Sequence, residues 1–152
     1  MPKQTFNGFE LPATSNTIFR FSEQRGHPLV IYFYPKDNTP GCTTEGQNFR
    51  DLYPQFQKLK CAIFGVSRDS LKSHEGFKSK MSFPFELLSD ADETACKLFD
   101  VIKMKNMYGR QVRGIERSTF VFNHGSELVR EWRGLKVPGH AAEVLEFVRT
   151  LK

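Results

Sequence analysis

The chain has 152 residues, of which 39% are hydrophobic and 26% charged, with 22 Lys and Arg against 17 Asp and Glu for a net charge of +5. This is the length of one ordinary domain, residues 1–152, able to bury a core without disulfide or metal staples. The composition excludes disordered, collagenous and coiled-coil classes. In chain order, Thr17–Phe21 reads as extended. Pro28–Tyr34 is β-branched and aromatic without alternation, as expected of a strand buried on both faces. Pro35–Gly41, with two prolines, Asp37, Asn38 and a glycine, is a loop. From Cys42 the pattern turns helical, Phe49, Leu52, Tyr53 and Phe56 forming one apolar face. Cys61–Val66 is a second buried strand, Ser70–Lys80 a polar helix and Asp92–Phe99 a short one. Arg117–Phe122 and Glu127–Trp132 are two further strands, joined by the turn Asn123-His124-Gly125-Ser126. Ala141, Val144, Leu145 and Val148 mark a closing helix.

A βαβ unit followed by a hairpin and a helix is an α/β arrangement, a central mixed sheet flanked by helices, and this is the layout of the thioredoxin-like fold. Fifteen phenylalanines point to an aromatic-rich core. The longest apolar run, Leu29–Tyr34, has six residues, far short of a membrane span. Met1–Phe6 lacks the apolar stretch of a secretory signal. A cytoplasmic protein with no membrane partner is therefore expected. Basic and acidic residues are interspersed, so the positive charge reads as a solvated surface and no nucleic-acid partner is expected. Three cysteines cannot all pair with one another, which suggests reduced thiols.

The informative segment is Pro35-Lys36-Asp37-Asn38-Thr39-Pro40-Gly41-Cys42. Cys42 follows a buried strand and a short loop and sits in the first turn of the expected helix. Unpaired amides and the helix dipole converge there and favour an anion. A cysteine so placed is expected to be largely thiolate near neutral pH. Thr39 can aim a hydroxyl at the same point, Pro35 can shield the sulfur from water, and Gly41 lets the backbone approach a ligand. The competing reading is a buried cysteine that merely caps a helix.

Pro35-x-x-x-Thr39-x-x-Cys42 resembles the peroxidatic signature of peroxiredoxins. The wider context, Tyr34-Pro35-Lys36-Asp37 through Cys42-Thr43-Thr44-Glu45 with Phe49-Arg50-Asp51, is similar to the bacterioferritin comigratory protein, or PrxQ, group. A second block, Gly114-Ile115-Glu116-Arg117-Ser118-Thr119-Phe120, resembles the stretch carrying that family's active-site arginine. The likeness runs over about residues 8 to 150. It implies a thiol-dependent peroxidase without a cofactor, acting on hydrogen peroxide and organic hydroperoxides. Cys42 would be the nucleophile that becomes a sulfenic acid. Thr39 would bind the peroxide, Arg117 would stabilise the thiolate and polarise the O–O bond, and Pro35 would close the pocket. Amides near Gly41 and Cys42 would complete the substrate site. The competing reading of Arg117 is an ion pair with its neighbour Glu116.

Many members of the group carry a second, resolving cysteine at positions that correspond here to Gln47 or Lys78. Both lack sulfur. Cys61 begins an apolar strand and reads as core. Cys96, in a partly amphipathic turn, is the remaining candidate for a resolving residue. The preferred expectation is a one-cysteine enzyme reduced by an external thiol, either thioredoxin or glutathione with glutaredoxin. A monomer is the default and a dimer the alternative. His27, His74, His124 and His140 lack ligand spacing, so no metal is expected. The basic residues Lys103, Lys105, Arg110 and Arg113 fall in an expected loop before the third strand, and Trp132 reads as packing. The rivals are a dithiol oxidoreductase, which lacks its C-x-x-C here, a glutathione peroxidase without its Gln and Trp companions, and a non-catalytic thioredoxin-fold binding module.

Overall fold

The computed structural model describes Phe6 and residues 8–151. Of the N-terminal segment read for a signal, only Phe6 lies among the described residues. The strands are β1 (Glu10–Ala13), β2 (Thr17–Arg20), β3 (Leu29–Phe33), β4 (Ala62–Ser67), β5 (Glu86–Ser89), β6 (Ile102–Met107), β7 (Arg110–Ile115), β8 (Ser118–Phe122) and β9 (Leu128–Arg133). The helices are α1 (Pro40–Lys58), α2 (Leu71–Met81), α3 (Thr94–Leu98) and α4 (His140–Arg149).

Seven strands form one mixed sheet in the order β2-β1-β5-β4-β3-β8-β9. β3, β4 and β5 are parallel; β1, β8 and β9 join antiparallel. The expected βαβ core, hairpin and closing helix are all present. β3 is buried along its whole length because side chains alternate between two covered faces. Leu29, Ile31 and Phe33 enter one core, with α3 and a set of aromatic residues that includes Phe6, Phe9, Phe21 and Phe122. Val30, Tyr32 and Tyr34 enter the other, with the apolar faces of α1, α2 and α4. Among the described residues no helix is long and apolar enough to cross a membrane.

Three differences from the sequence reading stand out. β1 and β5 are strands of four residues each that carry too little pattern to register alone. β6 and β7 form a separate two-stranded sheet where a basic loop was expected. Their turn is made by Tyr108 and Gly109, both with positive φ (53° and 79°), the geometry of a tight two-residue hairpin. β7 is mostly exposed, so no hydrophobic alternation announces it. Finally, Arg117 lies between β7 and β8 rather than in the strand itself.

Candidate active site

β3 ends at Phe33, and the chain passes through Tyr34–Thr39 into α1, so the loop lies at the carboxyl end of three parallel strands, where open α/β sheets place their sites. Thr39 is the N-cap of α1, with extended backbone (φ −90°, ψ 152°), and Pro40 is its first helical residue. Pro suits that position because the first amides have no intrahelical acceptor. The amides of Gly41 and Cys42 are among those left over, and the turn closes with Thr43 N donating to Thr39 O at 2.9 Å. Cys42 is thus the third residue of a nineteen-residue helix, in its first turn as expected, and it is buried.

Arg117 reaches this point from the start of β8, the strand next to β3, where Ser118 pairs in register with Phe33. Its Nη2 donates to Cys42 Sγ at 3.5 Å, and its Nη1 donates to Glu45 Oε1 at 2.7 Å. The partner of Arg117 is therefore Glu45, not Glu116. A Cβ at Gly41 would stand 3.1 Å from Nη2, so a larger residue there would push the guanidinium aside. The Thr39 hydroxyl donates to Lys36 O at 2.7 Å, which commits its hydrogen and leaves its oxygen free to accept. Pro35 is half-buried in the loop behind it.

Glu45 was not singled out by the sequence reading, although it stands one turn beyond Cys42 on the same helix side. It is only 1% exposed, and its Oε2 has no hydrogen-bond partner. Burial pushes its carboxyl up to about 7, against the opposing pull of Arg117. Below lies Tyr32, whose phenol is driven well above its ordinary range by burial and then by Glu45 and Cys42. Tyr32 pairs in register with Thr119, whose hydroxyl lies 2.8 Å from His140 Nε2. Burial pulls His140 down to about 4.

Asp37, Asp69 and His74 offer ligand atoms within 4.8 Å of one another. Hydrogen bonds already occupy both nitrogens of His74 and both oxygens of Asp37.

A thiol held at a helix N-terminus under a guanidinium fits the chemistry of a nucleophile that attacks an electron-poor oxygen. Residues 2–130 match the sequence model of the AhpC/TSA family. The chain is 54% identical over 145 residues to peroxiredoxin Bcp of Xanthomonas campestris, covering 95% of this chain and 90% of that protein. The chain is a peroxiredoxin of the Bcp/PrxQ group. It is also 43% identical over 142 residues to peroxiredoxin Bcp of Bacillus subtilis, 93% of this chain and 90% of that one. Its fold matches the bacterioferritin comigratory protein of Xanthomonas campestris with a TM-score of 0.90 at 51% identity, over 95% and 92% of the two chains. Xylella fastidiosa PrxQ matches with a TM-score of 0.91 at 47% identity, over 97% and 92%.

In this peroxiredoxin all three cysteines are free and buried. Cys61 follows the far end of α1, about 25 Å from Cys42 by helical rise, and burial pushes its thiol up to about 12. Cys96 packs in the core on the opposite sheet face from Cys42, where burial and then Asp90 drive its thiol up. Gln47 contacts Met81, with Nε2 3.8 Å from the thioether sulfur, and Lys78 faces Glu86 at 3.6 Å.

Proposed function

We propose that this peroxiredoxin reduces hydrogen peroxide and organic hydroperoxides through a sulfenic acid on Cys42, and that an external thiol completes the cycle. The observation that carries the reading is the 3.5 Å approach of Arg117 Nη2 to Cys42 Sγ at the start of α1. The guanidinium and the unpaired amides set positive charge and dipole ends against the sulfur. Thiolate sulfur attacks one peroxide oxygen, the S–O bond forms as the O–O bond breaks, and sulfur loses two electrons. The departing oxygen takes a proton from solvent and leaves as water or an alcohol.

Making a thiol wholly ionised rather than a few per cent ionised is worth about 2 kcal/mol. An acceleration of ~10⁶ requires ~8 kcal/mol, so most of it must come from groups aimed at the transition-state oxygens. Arg117 supplies two N–H groups on a fixed plane, and the amides of Gly41 and Cys42 supply more. Thr39, whose hydrogen is held by Lys36 O, accepts the hydrogen of the peroxide. Pro35 shields the sulfur. The Xanthomonas campestris relative is described as having alkyl peroxide reduction activity, which supports the organic branch of the substrate range.

The sulfenic acid then condenses with an external thiol to a mixed disulfide and water, and a second thiol releases Cys42. The position of Cys96 on the other sheet face supports this one-cysteine cycle over resolution within the chain. We assign the second role to thioredoxin or to glutathione with glutaredoxin. We read the chain as one domain acting as a monomer in the cytosol, in keeping with its three unpaired thiols. The test is oxidation by one equivalent of peroxide with sulfenic-acid trapping and intact mass. Wild type, Cys61→Ser and Cys96→Ser should each trap one adduct and Cys42→Ser none. A loss of two hydrogens that requires both Cys42 and Cys96 would overturn the one-cysteine cycle.

A further inference from the structure

The loop that carries Pro35 and Thr39 is held from beneath by a buried polar cluster to which the peroxide chemistry assigns no part. His74 of α2 is 0% exposed. Its Nε2 lies 2.9 Å from Leu88 O and its Nδ1 2.7 Å from Asp37 Oδ2. A carbonyl only accepts, so Nε2 carries a hydrogen. Asp37 receives the Tyr34 hydroxyl on Oδ1 at 2.6 Å and the Ser73 hydroxyl on Oδ2 at 2.7 Å. Burial pushes the Asp37 carboxyl up, but hydrogen bonds from His74 and Tyr34 outweigh it and hold the group below its ordinary value. An ionised carboxylate that accepts from two hydroxyls leaves His74 Nδ1 as the third donor.

The backbone of Asp37 is held as well. Its amide donates to Asp69 Oδ2 at 2.9 Å, and the Ser67 hydroxyl donates to the same oxygen at 2.6 Å. The ends of β3 and β4, the first turn of α2, and β5 through Leu88 therefore converge on one loop residue. Next to it, Asn38 sits in the left-handed region at φ 63°, a conformation that needs support from its surroundings. Thr39 follows at once, its hydroxyl tied to Lys36 O across the same turn.

We propose that His74 is a positioning residue of the peroxidase: through its buried contact with Asp37 it fixes the Lys36–Thr39 turn, and with it the place of the Thr39 oxygen beside Cys42. The inference rests on Thr39 as the group that receives the peroxide. Displacement of a reacting group by about 1 Å costs on the order of 10²-fold in rate, so a loosened turn is visible in the chemistry.

The experiment is a double-mutant cycle read as the single-turnover rate of Cys42 oxidation by hydrogen peroxide, in wild type, His74→Leu, Thr39→Val and the double variant. His74→Leu should slow oxidation by about 10- to 100-fold. The double variant should be within about 2-fold of Thr39→Val, because no threonine oxygen remains to be placed. His74→Asn, which keeps a donor near Asp37, should recover most of the rate. Wild-type oxidation by His74→Leu beside a slowed Thr39→Val overturns this inference and leaves the Thr39 assignment standing. Losses that multiply in the double variant also overturn it, since they mark a packing effect unrelated to Thr39. A Thr39→Val protein as fast as wild type removes the Thr39 assignment and this inference with it. If His74→Leu does not fold, Ser73→Ala replaces it: a loss of about 3- to 10-fold that vanishes in the Thr39→Val background supports the proposal, and any other result overturns it.

Discussion

Arg117 and Glu45 form an ion pair with a 2.7 Å contact, and it is this pair that points the second guanidinium nitrogen at Cys42. One planar group thus serves a buried carboxyl group and a sulfur at once. Lysine has the charge but not the planar fork that holds both contacts at a fixed spacing. Arg117→Lys is therefore expected to slow Cys42 oxidation nearly as much as Arg117→Ala, by about 10²-fold or more. Stopped-flow fluorescence or competition with a peroxidase of known rate measures it. A wild-type rate in the lysine variant would mean that a point charge near the sulfur is enough.

Two buried groups behind the site should give opposite pH dependences of stability. The Glu45 carboxyl is raised to about 7 in the folded state. Between about pH 4.5 and 7 the unfolded chain has lost that proton and the folded chain has not, so this group's contribution falls as pH rises. His140 is lowered to about 4. Between about pH 4 and 6.5 the unfolded chain is protonated there and the folded chain is not, so this contribution rises with pH. Each amounts to on the order of 3 kcal/mol over its window, and the two largely cancel. Denaturant unfolding of wild type should change little from these two groups between pH 4.5 and 6.5. Glu45→Gln should then gain stability with rising pH over that range, and His140→Phe should lose it. Parallel profiles for the two variants would contradict the opposed titrations.

The placing of Cys42 in the first turn of α1 was legible because strand, loop and helix signals succeed one another in the sequence, whereas Arg117 stood out only through the resemblance of its block, and the structure sets its guanidinium 3.5 Å from Cys42 Sγ. The apolar strands Pro28–Tyr34 and Cys61–Val66 were legible as well, since burial on both faces leaves an unbroken apolar run. Glu45 was not, because a lone glutamate on a helix looks solvated until Arg117 arrives from 72 positions away. His74 was missed likewise: its meaning depends on Asp37 and Leu88, which only the sheet brings together. The β6–β7 hairpin escaped notice because β7 is mostly exposed and lacks the alternation that a half-buried strand shows.

Cys96 offers a test of how far the sheet separates the two thiols. Its side chain lies among Phe33, Ala95, Phe99 and Val101 in the core opposite Cys42. Cys96→Ser should leave the rate of Cys42 oxidation and its reduction by an external thiol within about 2-fold of wild type. It should also lower stability by about 1 kcal/mol, because a hydroxyl replaces a sulfur among core aromatic and aliphatic residues, with the Asp90 carboxylate at hand to accept from it. Steady-state peroxidase assays with thioredoxin, paired with urea unfolding, separate the two effects. A variant that unfolds no sooner but loses turnover would place Cys96 in the catalytic cycle.

Gly46 tests the packing that sets α1 against the segment after α2. In an ordinary helix interior, Gly→Ala stabilises by about 0.5–1 kcal/mol. Here a Cβ would overlap the ring of Phe83. That ring is stacked on Phe85 at 5.1 Å and meets Phe77 edge-on at 5.1 Å, so it has no empty space to retreat into. Overpacking of this kind costs about 1–3 kcal/mol and outweighs the helix propensity. Gly46→Ala should lower the urea midpoint at an unchanged slope, by about 1–2 kcal/mol net. Because Gly46 lies one turn from Cys42, the same shift should also slow Cys42 oxidation, whereas Gly76→Ala on α2, with nothing within 4 Å of its added Cβ, should be neutral or stabilising and leave the rate unchanged. A Gly46→Ala protein more stable than wild type would show that the Phe83 ring yields freely and that the helix contact is not a tight one.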